Sequence, residues 1–110
     1  MGLEFPNLPY MIDGPVTLTE TLAIHHYLAD RYDPKLLGKD AIERGKVLML
    51  AGVLVDVKAK MTRPCYGGDK DALLANISTE FPKMQTYLAD KPFLMGDSPT
   101  YVDFYFFEVL

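Results

Sequence analysis

Two short segments of the chain carry residues whose types and spacing could recognise a small peptide. The first is Phe5-Pro6-Asn7-Leu8-Pro9-Tyr10, followed at once by Met11-Ile12-Asp13-Gly14. Proline fixes φ, lacks an N–H and drives the residue before it into extended geometry. Asn7-Leu8 therefore reads either as an ordinary proline-rich loop or as an extended edge with an unpaired backbone. With a cis Leu8–Pro9 bond the Leu8 backbone turns outward, and such an edge pairs with an extended peptide by strand addition. The second segment is Thr19-Glu20-Thr21, where a strand runs into a helix. A helix N-terminus offers free N–H groups and partial positive charge, a seat for a carboxylate. Thr21 adds a hydroxyl donor and Glu20 an anion for an ammonium group. Together they suit the α-carboxylate and α-amine of an amino acid; the alternative is that they only cap their own helix.

Other reactive side chains point to less. His25 and His26 are adjacent, about 100° apart on a helix, and no Cys or carboxylate completes a metal set with them. They read as surface or interface histidines. Cys65 follows Arg63, which could lower a thiol pKa, but a lone cysteine beside a helix end reads more simply as a small packed hydrophobe. Asp56 and Lys58 interrupt an otherwise apolar helix and need solvent, an interface or a ligand if they are buried. Neither a glycine-rich phosphate loop nor a Ser/His/Asp set is present.

These residues hang on elements that the pattern defines. Tyr10 to Asp13 and Val16 to Leu18 read as two strands joined by Gly14-Pro15, a hairpin signal. Helical period follows over Thr19 to Tyr32, with Leu22, Ile24, Tyr27 and Leu28 apolar. Asp33-Pro34 stops it and opens a linker through Gly38. Asp40 with Glu43 three residues on predicts a capped helix to about Thr62, burying Val47, Leu50, Ala51, Leu54, Val55 and Met61. Arg63-Pro64 should end or kink it, and Gly67-Gly68 breaks the pattern. A second long helix runs from about Asp69 to Leu88 through Leu73, Leu74, Ile77, Phe81, Met84 and Leu88, with Pro82 inside it, so the pair forms an antiparallel hairpin. Phe93-Leu94 is extended and Gly96-Asp97 a turn. Thr100 with Asp103 forms a capping box before the apolar run Phe104 to Leu110, a helix that expects further protein to cover it.

Composition bounds the rest. The 110 residues are 49% hydrophobic and 24% charged, globular rather than disordered. A net charge of −4 argues against a nucleic-acid surface. One cysteine excludes an internal disulfide framework and fits a reducing compartment. The N-terminus lacks the pattern of a secretory signal, and no apolar stretch reaches membrane-spanning length.

Gly2 through Tyr10, Ile12-Asp13-Gly14, Thr19-Glu20-Thr21-Leu22-Ala23-Ile24 and Thr100-Tyr101-Val102-Asp103-Phe104, in this order and spacing, resemble the glutathione transferases, the mu class closely. The resemblance covers essentially the whole chain. It implies an α+β fragment of that fold: the end of a thioredoxin-like domain (a β-hairpin plus helix) followed by part of an all-α domain. Residues 1–32 would be the partial thioredoxin-like, glutathione-binding unit, 33–39 a linker, and 40–110 the partial all-α unit. The implied reaction is conjugation of the glutathione thiol to electrophilic small molecules, a detoxification, with glutathione as co-substrate, no metal, a cytoplasmic setting, and a homodimer in the full-length protein.

The resemblance also implies residue roles. Leu8, before cis Pro9, would pair with the cysteinyl unit of glutathione, and Asn7 would lie near its glycyl end. Glu20 and Thr21 would hold the γ-glutamyl carboxylate and amine. Asp56 would reach the glutathione of the neighbouring subunit. Tyr66 would line the electrophile pocket, where its hydroxyl could act as an acid. Phe5 would be an aromatic key in the dimer interface, and His26 stands where an interface arginine is usual. Glu20-Thr21 replaces Gln-Ser, and Pro99 replaces an apolar staple onto Phe104. The tyrosine that favours the thiolate would lie upstream of this chain, so no residue here is assigned that task and the isolated fragment is expected to be inactive. The alternative function is a non-catalytic binding or structural protein with the transferase fold.

Overall fold

The computed structural model describes residues 2–110; Met1, the first residue of the expected 1–32 unit, lies outside them. Strands β1 (Tyr10–Asp13) and β2 (Val16–Thr19) form an antiparallel hairpin in which Tyr10 faces Thr19 and Asp13 faces Val16. Gly14 turns the chain at φ +58, a conformation cheap only without a Cβ. Helix α1 (Thr21–Tyr32) follows directly and is tied back to the hairpin by the Tyr27 hydroxyl, which donates to Asp13 Oδ2 at 2.9 Å. That hydrogen bond, with some burial, pushes the Tyr27 phenol above its usual range.

The expected linker is more ordered than its composition implies. Pro34–Leu37 forms a 3₁₀ turn, Asp33 accepts from the Lys35 N–H, and Leu37 is buried in the core. Helix α2 (Ala41–Gly67) opens on Asp40, whose carboxylate accepts from the Glu43 N–H at 2.8 Å. Glu43 reaches back to the Lys39 N–H at 2.7 Å, one residue earlier than a capping box requires.

Pro64 does not end this helix. The helix continues to Gly67 and closes on Gly68 at φ +71. The proline leaves the Lys60 carbonyl without its i+4 donor, and the Asn76 side-chain amide of the next helix donates to that oxygen at 2.8 Å. The orphan that should have broken α2 is satisfied across the hairpin instead. The buried stripe of α2 also departs by one position from the one expected: Val57 is 3% exposed whereas Val55 is 40% exposed. Val55 follows Leu54 by one residue and so sits about 100° off the inward face, while Val57 stands three residues on.

Helix α3 (Lys70–Leu88) is capped by Asp69, which accepts from the Ala72 N–H at 2.9 Å, and accommodates Pro82 in its interior. Leu74, expected on its buried face, is exposed. Glu80 is 7% exposed and bonds Lys60 of α2 at 2.7 Å and Lys83 at 3.2 Å. Phe93 and Gly96 then exchange both backbone hydrogen bonds at 3.1 Å. Helix α4 (Tyr101–Val109) is held by Asp103, whose two carboxylate oxygens accept from the N–H groups of Thr100 and Leu94, each at 2.8 Å. The core gathers Val47, Leu50, Ala51 and Leu54 of α2, Met84 of α3, Leu94, and Val102 and Tyr105 of α4, with Ala29 and Leu37 closing it from the α1 side.

Candidate functional site

The two recognition segments meet in space because the hairpin returns Thr19 beside Tyr10. The Leu8–Pro9 bond is cis and Leu8 is 78% exposed, at the head of β1. Thr19 Oγ1 donates to the Phe5 carbonyl at 2.7 Å, stapling the proline-rich segment to the end of β2. The Asn7 carboxamide bridges both segments: its Nδ2 donates to Glu20 Oε1 at 3.3 Å, and its Oδ1 accepts from the Leu8 N–H at 2.9 Å. Sequence reasoning brought Asn7, Leu8 and Glu20 to one ligand but missed the direct Asn7–Glu20 bond and the Thr19 staple. A hydroxyl at the last position of β2, next to Glu20, was the available signal for the staple.

Glu20 is the outstanding residue of this corner. It precedes α1 at φ 71, ψ 118, a conformation that non-glycine residues rarely adopt and that recurs at ligand-binding positions. Its carboxylate makes no capping bond to the helix, which counts against the reading that Thr19-Glu20-Thr21 serve only as a cap. The first N–H groups of α1 are left for another acceptor. A shallow cavity of about 310 Å³ opens beside it, lined by Leu3, Glu4, Phe5, Thr17, Leu18, Thr19 and Glu20. Asn7, Leu8 and Thr21 do not line that cavity; around Glu20 as a whole, an anion at the α1 N-terminus, an amine against Glu20 and an extended peptide along Leu8 would each meet a complementary group.

Of the other expected site residues, Phe5 lines this cavity, whereas Asp56, Tyr66 and His26 lie apart from it. Asp56 is exposed midway along α2, and Tyr66 is 92% exposed near its end; neither lines the cavity. Phe5 is exposed beside Asn7. Cys65 is exposed on the last turn of α2, not packed as its surroundings in sequence implied. Position 65 continues the stripe of Val57 and Met61 but lies one turn beyond Met61, the last buried residue of α2. His25, read as a surface or interface histidine, is half-buried with its ring edge-on to Tyr101 and Tyr105 of α4, while His26 is exposed and also meets Tyr101. Among the described residues no cluster of three or more His, Cys, Asp or Glu could hold a metal.

Residues 54–110 match the family model of the glutathione S-transferase C-terminal domain, and the chain belongs to the glutathione S-transferase family. It is 38% identical over its full length to the class-mu 26 kDa isozyme of Schistosoma japonicum and 38% identical to glutathione S-transferase Mu 1 of Bos taurus. In each case it spans about half of the relative, 51%. The solved structure of glutathione S-transferase Blo t 8 superposes with a TM-score of 0.77 at 25% identity, covering 99% of this chain and 53% of that one. The hairpin followed by helices is thus the end of the thioredoxin-like domain and the beginning of the all-α domain of that fold. Among the described residues no helix is long and apolar enough to cross a membrane.

Proposed function

We propose that this chain contributes the glutathione-binding half of a glutathione-conjugating enzyme of mu type, acting on electrophilic small molecules in the cytoplasm. The observation that carries the reading is Glu20, held at φ 71 at an α1 N-terminus that its carboxylate does not cap, with the Leu8 edge one hydrogen-bonded residue away. In this reading the helix N-terminus and Thr21 hold the γ-glutamyl carboxylate, Glu20 holds its ammonium group, and the Leu8 backbone before Pro9 pairs with the cysteinyl unit. Asn7 lies toward the glycyl end. Asp56 extends to the glutathione of a partner subunit, and Tyr66 faces the electrophile.

Phe5 and His26 belong to the contact between two copies in the whole protein. Residues 1–32 form the ligand-binding unit, 33–39 the connection and 40–110 the helical unit. These side chains bind and orient the tripeptide, and the group that stabilises its thiolate is a tyrosine outside this chain.

Titration of the 110-residue chain with glutathione, followed by amide chemical shifts, tests the binding half. Leu8, Glu20 and Thr21 are expected to shift together, and Glu20→Gln and Thr21→Val to weaken binding. Each removes one partner of a charged contact, a loss of about 1.5–3 kcal/mol or roughly ten- to hundredfold. Shifts confined to other residues, or saturation unaffected by both substitutions, would overturn the assignment.

A further inference from the structure

Thr19 touches both ends of the two-proline segment. Its backbone pairs in register with Tyr10, where β1 begins, and its side-chain hydroxyl donates to the Phe5 carbonyl at 2.7 Å. Phe5 to Tyr10 thus forms a loop closed on a single residue, with Asn7 and Leu8 at its middle. Thr19 is also the last residue of β2, directly before Glu20 and the start of α1 at Thr21. One residue therefore joins the extended edge to the helix entry.

Little else holds the loop. Every residue from Phe5 to Tyr10 is exposed, so packing does not fix it. Among the described residues, the only other hydrogen bond from this loop, ahead of β1, to the rest of the chain runs from Asn7 Nδ2 to Glu20 Oε1, at 3.3 Å. An ammonium group arriving at Glu20 competes for that same carboxylate. The Phe5 carbonyl and the Thr19 hydroxyl have no such competitor among the groups assigned to the ligand. With Glu20 occupied, the Thr19 clasp is the tie that remains.

We propose that Thr19 is a positioning residue for glutathione: its hydroxyl fixes the spacing between the Leu8 edge and the Glu20-Thr21 helix entry, and so favours a tripeptide that reaches both over a shorter γ-glutamyl ligand that reaches only the second. This rests on the glutathione reading of the site. The physical reason is preorganisation. A ligand that spans two segments must quench whatever freedom they have relative to one another, and a clasp formed beforehand removes that cost. A ligand confined to the helix entry meets no such cost, so the clasp discriminates by ligand length. Threonine suits the position: its β-branched carbon favours the strand, and its hydroxyl supplies the donor. Valine keeps the shape and the strand preference and loses only the donor. The Phe5 carbonyl it frees belongs to an exposed residue and turns to water, so the change falls on the loop rather than on the fold.

The test compares the 110-residue chain with its Thr19→Val and Thr19→Ser variants, through amide shifts on adding glutathione or L-glutamine. L-Glutamine carries the α-carboxylate, the α-amine and the side-chain amide of the γ-glutamyl unit and stops before the cysteinyl residue. Thr19→Val is expected to weaken glutathione roughly two- to tenfold, the net worth of one neutral hydrogen bond, and to leave the L-glutamine response of Thr21 unchanged. Thr19→Ser should restore the glutathione affinity. Without ligand, backbone amide relaxation is expected to show more fast motion at Asn7 and Leu8 in Thr19→Val than in the wild type or Thr19→Ser. Equal losses for both ligands, or a glutathione affinity that valine leaves intact, would overturn the proposal. Glutathione that shifts neither Leu8 nor Glu20 in the wild type would instead remove the glutathione reading, and relaxation then decides by itself whether Thr19 holds the segment.

Discussion

Glu20 joins a rarely adopted backbone conformation to its proposed role in binding. A non-glycine residue at φ 71 stores roughly 1–3 kcal/mol of backbone strain. Replacing it with glycine relieves that strain but adds unfolded-state entropy of about 0.4–1 kcal/mol. Glu20→Gly is therefore expected to stabilise the chain by about 1 kcal/mol in denaturant unfolding while weakening glutathione binding at least as much as Glu20→Gln. A destabilised Glu20→Gly chain would show that the surrounding contacts, among them the Asn7 bond, outweigh the strain. The Glu20 side chain was legible in the sequence as an anion at a helix entry. Its backbone strain was not, because glutamate carries no preference for positive φ; the hairpin and α1 impose it between them.

At the scale of elements, the α2–α3 hairpin shows how a local rule is overridden by a neighbour. Pro64 costs a helix interior about 3 kcal/mol or more, in part through the carbonyl it orphans. Asn76 supplies the missing donor to that carbonyl from α3. Asn76→Ala is expected to destabilise the chain by about 0.5–1.5 kcal/mol, the net worth of a hydrogen bond at a solvent-exposed position. In a Pro64→Ala background, where the residue 64 N–H is restored to Lys60, the same substitution should cost much less. Thermal or urea unfolding of the two single variants and the double variant measures this coupling. Additive effects would mean that Lys60 is satisfied by solvent. Asp103 works similarly for α4: the predicted reach-back to Thr100 is present, and its second oxygen also holds the Leu94 N–H, a loop contact that helix-start patterns do not encode.

Across the whole molecule, two features govern behaviour in solution. Glu80 is clamped between Lys60 and Lys83, and those hydrogen bonds hold its carboxyl below the usual 4.5. A depressed folded-state pKa contributes stability above the unfolded value, and that stability is lost as pH falls through the folded one. The melting temperature is accordingly expected to fall as pH drops below 4.5, and Glu80→Gln should remove part of that slope while leaving neutral-pH melting lower than wild type. Identical slopes would dismiss the clamp. The second feature is the outer face of α4, where Phe104, Phe107 and Leu110 are exposed, Phe107 by 77%. Adjacent apolar side chains of this size favour association. Sedimentation of the 110-residue chain should show apparent mass rising with concentration, and Phe107→Glu should suppress the rise.

The sequence by itself determined the β-hairpin and the order of the four α-helices, the caps at Asp40 and Thr100, and the two-proline segment that lies beside Glu20. Each of these rests on short-range chemistry: φ restriction by proline, side-chain acceptors for helix-end N–H groups, and the 2.0 and 3.6 periods of strand and helix. Tertiary structure alone decided that α2 runs through Pro64, that Val57 rather than Val55 faces inward, that Pro34–Leu37 folds as a 3₁₀ turn burying Leu37, and that Cys65 faces solvent. It also decided that His25 packs against Tyr101 and Tyr105, which lie far along the chain from it. Those outcomes depend on which neighbour supplies a donor, a ring or a volume, and neighbours of that kind are set by the packing of α1 and α3 on α2 and α4, not by spacing along the chain.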